Sequence, residues 1–335
     1  MAIAIATFTL LSGLAGAPGD APMRLVTDHG IELSANEEVF TLFAALNAAG
    51  YAEEPKRKGP PLNAPVFHPI REDVREALRA AKSTSSLTAV RKVFETHPET
   101  IATYIEAALS MAPDAPRPSS AASALAKKLA PLGDFRSEAS LATVFDRVAG
   151  DQRALMKELA SALEKDLEAV RKVLGDPGFR APRAVVVVPN PLDGHGLVRR
   201  LTLGGVTYLV VGPGLDEART AILQAALEPS MSALVATSYG RAGKLSRSWS
   251  TLKTSKRITR RWPNGKAYLA DALTHAVAHR ARAGGTATRD ADEEFVDVEA
   301  KDGMRWARTA LKILDDHGSG KLADALPNLL AKASP

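Results

Sequence analysis

Asp271, His275 and His279 follow one another at four-residue intervals, and on a helix that spacing stacks all three on one stripe. Two imidazoles one turn apart can chelate zinc, and a carboxylate a turn earlier adds an oxygen donor. Zinc held this way would activate water for hydrolysis. The apolar residues Leu269, Ala272, Leu273, Ala276 and Val277 fall largely on the other side of the same helix, so the stripe is expected to face solvent or a cleft. The chain has no cysteine. That excludes disulfides, iron–sulfur clusters, thiolate zinc sites and a cysteine nucleophile.

A second chemical feature is charge. Between Glu228 and Asp271 there is no acid, while Arg241, Lys244, Arg247, Lys253, Lys256, Arg257, Arg260, Arg261 and Lys266 give segment 241–266 a charge of +9. The whole chain, with 43 basic and 38 acidic residues, carries only +5. With Trp249 and Trp262 nearby, the segment reads as a groove for a polyanion or nucleic acid, phosphates meeting Lys253 to Arg261 and bases stacking on the indoles. The competing expectation is internal compensation by the acidic run Asp290, Asp292, Glu293, Glu294, Asp297, Glu299 and Asp302.

Two further patterns fail on their own chemistry. Gly212-Pro213-Gly214 lies where a dinucleotide loop would lie, but Glu217 stands in place of the third glycine and, with Asp216, would repel a phosphate. Those acids suit the first turn of a helix instead. Ser250-Thr251-Leu252-Lys253 matches a Ser-x-x-Lys nucleophile pattern, but its companion motif is only Lys253-Thr254-Ser255.

The elements that position these residues follow from periodicity. A chain of 335 residues, 45 % hydrophobic and 24 % charged, is long enough for two modest domains, and its composition is that of a folded protein. Helical spacing is read at 36–49, 71–82, 86–95, 98–111, 119–130 and 137–149. It is clearest over Leu155, Leu159, Leu163, Leu167, Val170 and Leu174, ended by Gly175-Asp176-Pro177-Gly178. Then Ala184–Val188 and Val206–Val211 read as strands, with Leu197–Leu203 a third and Gly204-Gly205 a tight turn; a helix starts near Leu215. The expected class is α+β, mainly helical: an all-helical region 23–180, then a small mixed sheet with helices over 181–335. Residues 1–22 contain the uncharged apolar run 3–17 and Ala15-Gly16-Ala17, a signal-peptidase-like sequence without a charged start. Read as an export signal, it places the protein outside the cytoplasm, in a periplasm or secreted; read as a truncated apolar N-terminus, it leaves a cytoplasmic protein. No other apolar run approaches membrane-spanning length.

The order of events from Arg183 to Ala283 resembles that of gluzincin-type, zincin-like bacterial metallopeptidases. The strand 184–188 with Pro189-Asn190-Pro191, the strand 206–211 with Gly212-Pro213, and the helix that follows look like the lead-in to their His-Glu-x-x-His helix. In that register the motif is Leu227-Glu228-Pro229-Ser230-Met231. Tyr268-Leu269-Ala270-Asp271-Ala272-Leu273 looks like the helix of the third ligand, with Asp271 in the place of Glu. Residues 35–51 are similar to the N-terminal helix of such proteins. The resemblance implies a zincin-like fold without its zinc: Leu227 offers no donor and Met231 only a soft thioether. Glu228 matches the general base, with no metal-bound water to act on. Leu223, Leu227, Met231 and Leu234 form one apolar stripe instead, and Pro229 is expected to kink or restart the helix.

The leading expectation is therefore a non-catalytic, zincin-like protein, a pseudopeptidase without cofactor, whose edge strand 197–203 retains a cleft for a peptide or protein partner. One alternative is a zinc hydrolase with its site moved to Asp271, His275 and His279. Another is a polyanion- or nucleic-acid-binding module using Lys253, Lys256, Arg257, Arg260 and Arg261.

Overall fold

The computed structural model describes residues 24–49, 76, 78–79, 84–112, 117–181, 184–194 and 196–335. The apolar run 3–17 and most of the helical pattern at 71–82 lie outside the described residues. The protein is α+β and mainly helical. Among the described residues its sheet has five strands in the order β1-β2-β3-β5-β4. These are β1 Arg24–Val26, β2 Ile31–Ser34, β3 Val185–Pro189, β4 Val198–Leu203 and β5 Val206–Val211. The three central strands run parallel, and each edge strand is antiparallel to its neighbour. Gly204 and Gly205, both at positive φ, close the β4–β5 hairpin in two residues, a conformation that suits glycine at both positions.

The N-terminal part is not all helical as its pattern suggests. β1 and β2, three and four residues long, belong to the same sheet as the later strands, and β2 pairs in parallel with β3 across some 150 intervening residues. Helix α1, Glu37–Ala48, begins where Asn36 caps it by accepting from the Val39 N–H, with Glu37 and Glu38 in the first turn favouring the helix dipole. Helices α2 Ser85–Thr96, α3 Ile101–Leu109, α4 Ser120–Lys128 and α5 Pro131–Glu138 follow. The periodic stretches expected at 137–149 and from Leu155 onward are one helix, α6, Leu141–Leu174, continuous through Gly150. Gly175 ends it in the left-handed conformation, with the Asp176 N–H donating to Arg171 O.

Alternate residues of the strands face two cores. Val188, Val210 and Leu203 meet Phe40, Phe43, Ile105, Phe135 and Val144 on one side. Val185, Val187, Leu209 and Val211 meet Leu159, Leu163 and Leu167 on the other. α6 passes from the first core to the second. The second core is closed by α7 Leu215–Ser238, α8 Gly243–Leu252, α9 Lys256–Arg261, α10 Gly265–Arg282, α11 Arg289–Lys301, α12 Ala307–Asp316 and α13 Leu322–Lys332. Among the described residues no helix is long and apolar enough to cross a membrane.

Candidate functional site

α7 leaves the sheet directly after β5 and carries the register read as a metal motif. Pro229 lies within it, and the helix runs unbroken from Leu215 to Ser238 rather than restarting. Leu223 and Leu227 are fully buried and Met231 is 2 % exposed, all in the core beneath the sheet. Glu228, one residue round the helix, is 43 % exposed and ion-paired with Arg200 of β4. These residues do not fit zinc. Two of the three motif positions point into hydrocarbon without a nitrogen or oxygen donor, and the carboxylate is already engaged by a guanidinium. What this surface does offer is β4 itself. β4 pairs only with β5, and its other edge is unpaired among the described residues.

The stripe on α10 is not open as its polarity suggests. α10 is buried around most of its circumference, and α11 lies over the side that carries Asp271, His275 and His279. The His275 side chain is 12 % exposed; its Nδ1 lies 2.8 Å from Glu299 Oε1 and its Nε2 3.5 Å from Asp271 Oδ1. His279 turns away to a different acid, with Nε2 2.9 Å from Asp292 Oδ1 and its ring stacked on Phe295. Asp271 also accepts from Trp262 Nε1 at 2.7 Å and lies 3.6 Å from Arg261. Asp271 and His275 thus share one polar cluster with Glu299, and His279 belongs to another with Asp292. Among the described residues no group of three or more histidine, aspartate or glutamate side chains is placed to hold a metal ion.

Burial lowers the pKa of His275, but hydrogen bonding to Glu299 and the charges of Asp271 and Glu299 outweigh it, against Arg261, so the net displacement is upward from 6.5. A histidine whose pKa is raised on folding contributes stability that is complete below its unfolded pKa and is lost as pH rises through the folded value. The unfolding free energy in urea should therefore fall as pH is raised from below 6.5 through the folded pKa, and Glu299→Gln should flatten that fall. An unchanged pH dependence in Glu299→Gln would count against the pairing. His29 works in the opposite sense: burial and the nearby Arg171 lower its pKa, so its contribution is lost on the acid side.

The basic segment forms α8, α9, the turns around them and the start of α10. Leu245, Leu252, Ile258 and Trp262 anchor it in the core. The acidic run does not neutralise it. Arg257 meets Asp302 at 3.8 Å in an exposed pair, and Arg261 meets the part-buried Asp271 at 3.6 Å. Two acids of α11 face α10 instead: Glu299 meets His275, and Asp292 meets His279 and Arg280, the latter at 2.7 Å. Arg241, Lys244, Arg247, Lys253, Lys256, Arg260 and Lys266 are exposed and have no ion-pair partner among the described residues. The tryptophans are not the stacking platforms expected. Trp262 is 3 % exposed, and Trp249 is half-buried against Tyr268 and Trp306. Both indoles pack the helices together.

Gly212-Pro213-Gly214 has a structural explanation. A Cβ on Gly212 would come within 2.1 Å of Gly194 O, and Gly214 sits at φ 125° against Gly196. The glycines let two loops at the ends of β3 and β5 touch. Ser250 and Lys253 are both exposed and share no hydrogen bond. Two buried acids drew no notice from the sequence. Asp193, its side chain fully buried, is held by Arg199 through two bonds of 2.6 and 3.0 Å. Asp166 is held by Arg219 of α7. A signal for Asp166 exists: it is an acid three residues after Leu163 and four before Val170, within the apolar stripe of α6.

Comparison with family models, with curated proteins and with solved structures finds no match to this chain.

Proposed function

We propose that the chain is a non-catalytic protein of zincin-like layout, a pseudopeptidase, that holds an extended peptide along β4. The observation that carries this reading is the burial of Leu227 and Met231 beside the surface residue Glu228. The helix keeps a carboxylate next to an edge strand, while the neighbouring ligand positions serve the core. An unpaired strand edge binds an extended chain by main-chain hydrogen bonds alone, with no metal required. Support also comes from the hairpin β4–β5 leading straight into α7, which sets the strand edge and the helix surface side by side.

The test has two parts. Protein purified without an affinity tag should contain no stoichiometric zinc and should not cleave casein, and Glu228→Gln should leave both results unchanged. Stoichiometric zinc, or a peptidase activity abolished by Glu228→Gln, would overturn the non-catalytic reading. A pool of casein peptides should slow amide hydrogen exchange across residues 198–203; exchange that stays at the free rate would remove the peptide-docking role.

A further inference from the structure

We propose that α8 and α9 form a binding face for the phosphate backbone of duplex nucleic acid, independent of base sequence and separate from the β4 edge. Seven cations in this segment are exposed without an ion-pair partner among the described residues, as set out above. Between them lie the exposed hydroxyl residues Ser250, Thr251 and Ser255, while the hydroxyls of Thr254 and Thr259 donate to nearby backbone carbonyls. This is the pairing of residue types that contacts phosphate and sugar oxygens: charged donors for affinity and neutral donors for position. Leu245, Leu252, Ile258 and Trp262 fix the two helices to the core, so the cations stand on a rigid support.

Three other polyanions suit this face less well. Single strands are held largely by stacking bases on aromatic side chains, and here Trp262 is buried while Trp249 is committed to Tyr268 and Trp306. An anionic membrane is usually engaged by a basic face together with inserted apolar groups, and the large apolar side chains of this segment point inward. A sulfated polysaccharide supplies charge without sugar–phosphate oxygens for the neutral donors, and heparin in the experiment below distinguishes it from a duplex. α8 has ten residues, a length of about 15 Å, which laid along the duplex axis spans about four phosphate levels of one strand at about 3.4 Å per level.

The experiment is fluorescence anisotropy with a labelled duplex DNA of arbitrary sequence, in parallel with one of its strands alone, heparin as competitor, and phosphatidylserine vesicles. The affinity for duplex should fall about 100-fold between 50 and 200 mM salt if about four phosphates are contacted. The variant Lys244→Gln, Arg247→Gln, Lys253→Gln, Lys256→Gln, Arg260→Gln should lose at least about tenfold at 50 mM salt and have a markedly shallower salt dependence. A control removing the same charge elsewhere, at exposed Lys127, Arg153, Lys157, Lys165 and Lys172, should bind within about threefold of the parent. Circular dichroism confirms that both variants are folded. The proposal is overturned by absence of duplex binding at 50 mM salt, or by equal losses in the two variants. Tighter binding to the single strand, to vesicles or to heparin than to the duplex overturns it as well.

Discussion

Replacing Leu227 and Met231 together by histidine should destabilise the protein by several kcal/mol and recruit no zinc. Both side chains are buried in the core beneath the sheet, at 0 % and 2 % exposure. Removing each one forfeits about 1.5–3 kcal/mol of apolar burial. Each imidazole that replaces it is buried without a partner, at a further cost of about 1–3 kcal/mol. Against a total stability of about 5–15 kcal/mol, the double variant should unfold at far lower urea concentration, or fail to fold. Glu228→Gln makes the comparison sharp, because its pair with Arg200 is 43 % exposed on both sides and such pairs contribute about 0–1 kcal/mol. Urea titration by circular dichroism and zinc content by mass spectrometry decide the matter. A double variant as stable as its parent and loaded with zinc would show that these positions line a cleft.

Much of the fold around α7 is legible in the sequence because its signals are local. The turn at Gly204-Gly205 follows from the two glycines, β5 from its β-branched run, and α1 from the helical spacing over 36–49. β1 and β2 are not legible, since three or four residues are too few for a period and β2 finds its parallel partner far away in sequence. The break expected between 149 and 155 is absent because tertiary packing on both sides outweighs the roughly 1 kcal/mol helix cost of Gly150.

The candidate sites divide in the same way. Burial of Leu227 and Met231 follows from their own stripe, a property of one helix. The environment of Asp271, His275 and His279 does not, because a polar stripe on α10 reads as exposed until α11 supplies Glu299 and Asp292 to meet it. That pairing has a second consequence. Two of the acids that composition offers as counter-charges to the segment 241–266, Asp292 and Glu299, face α10 instead, and seven cations of that segment have no ion-pair partner among the described residues. The charge total is thus uninformative and its location informative, and the location depends on which helix α11 covers.

Arg219→Ala should cost about 3–5 kcal/mol, far more than loss of a surface ion pair. Arg219 reaches from α7 to Asp166 of α6 with two parallel bonds, Nε to Oδ2 at 2.9 Å and Nη2 to Oδ1 at 2.7 Å. The Asp166 side chain is 4 % exposed and that of Arg219 23 %, so the carboxylate has no water to return to when the guanidinium is removed. The cost is that of a stranded charge. The combination Asp166→Leu, Arg219→Met should therefore recover most of the loss, because apolar residues of similar volume satisfy the same space without a charge. Urea titrations of the parent and both variants at neutral pH measure the loss and its recovery. If instead Arg219→Ala loses under about 1 kcal/mol at neutral pH, the pair behaves as a solvated surface bridge and the contact between α6 and α7 rests on apolar packing alone.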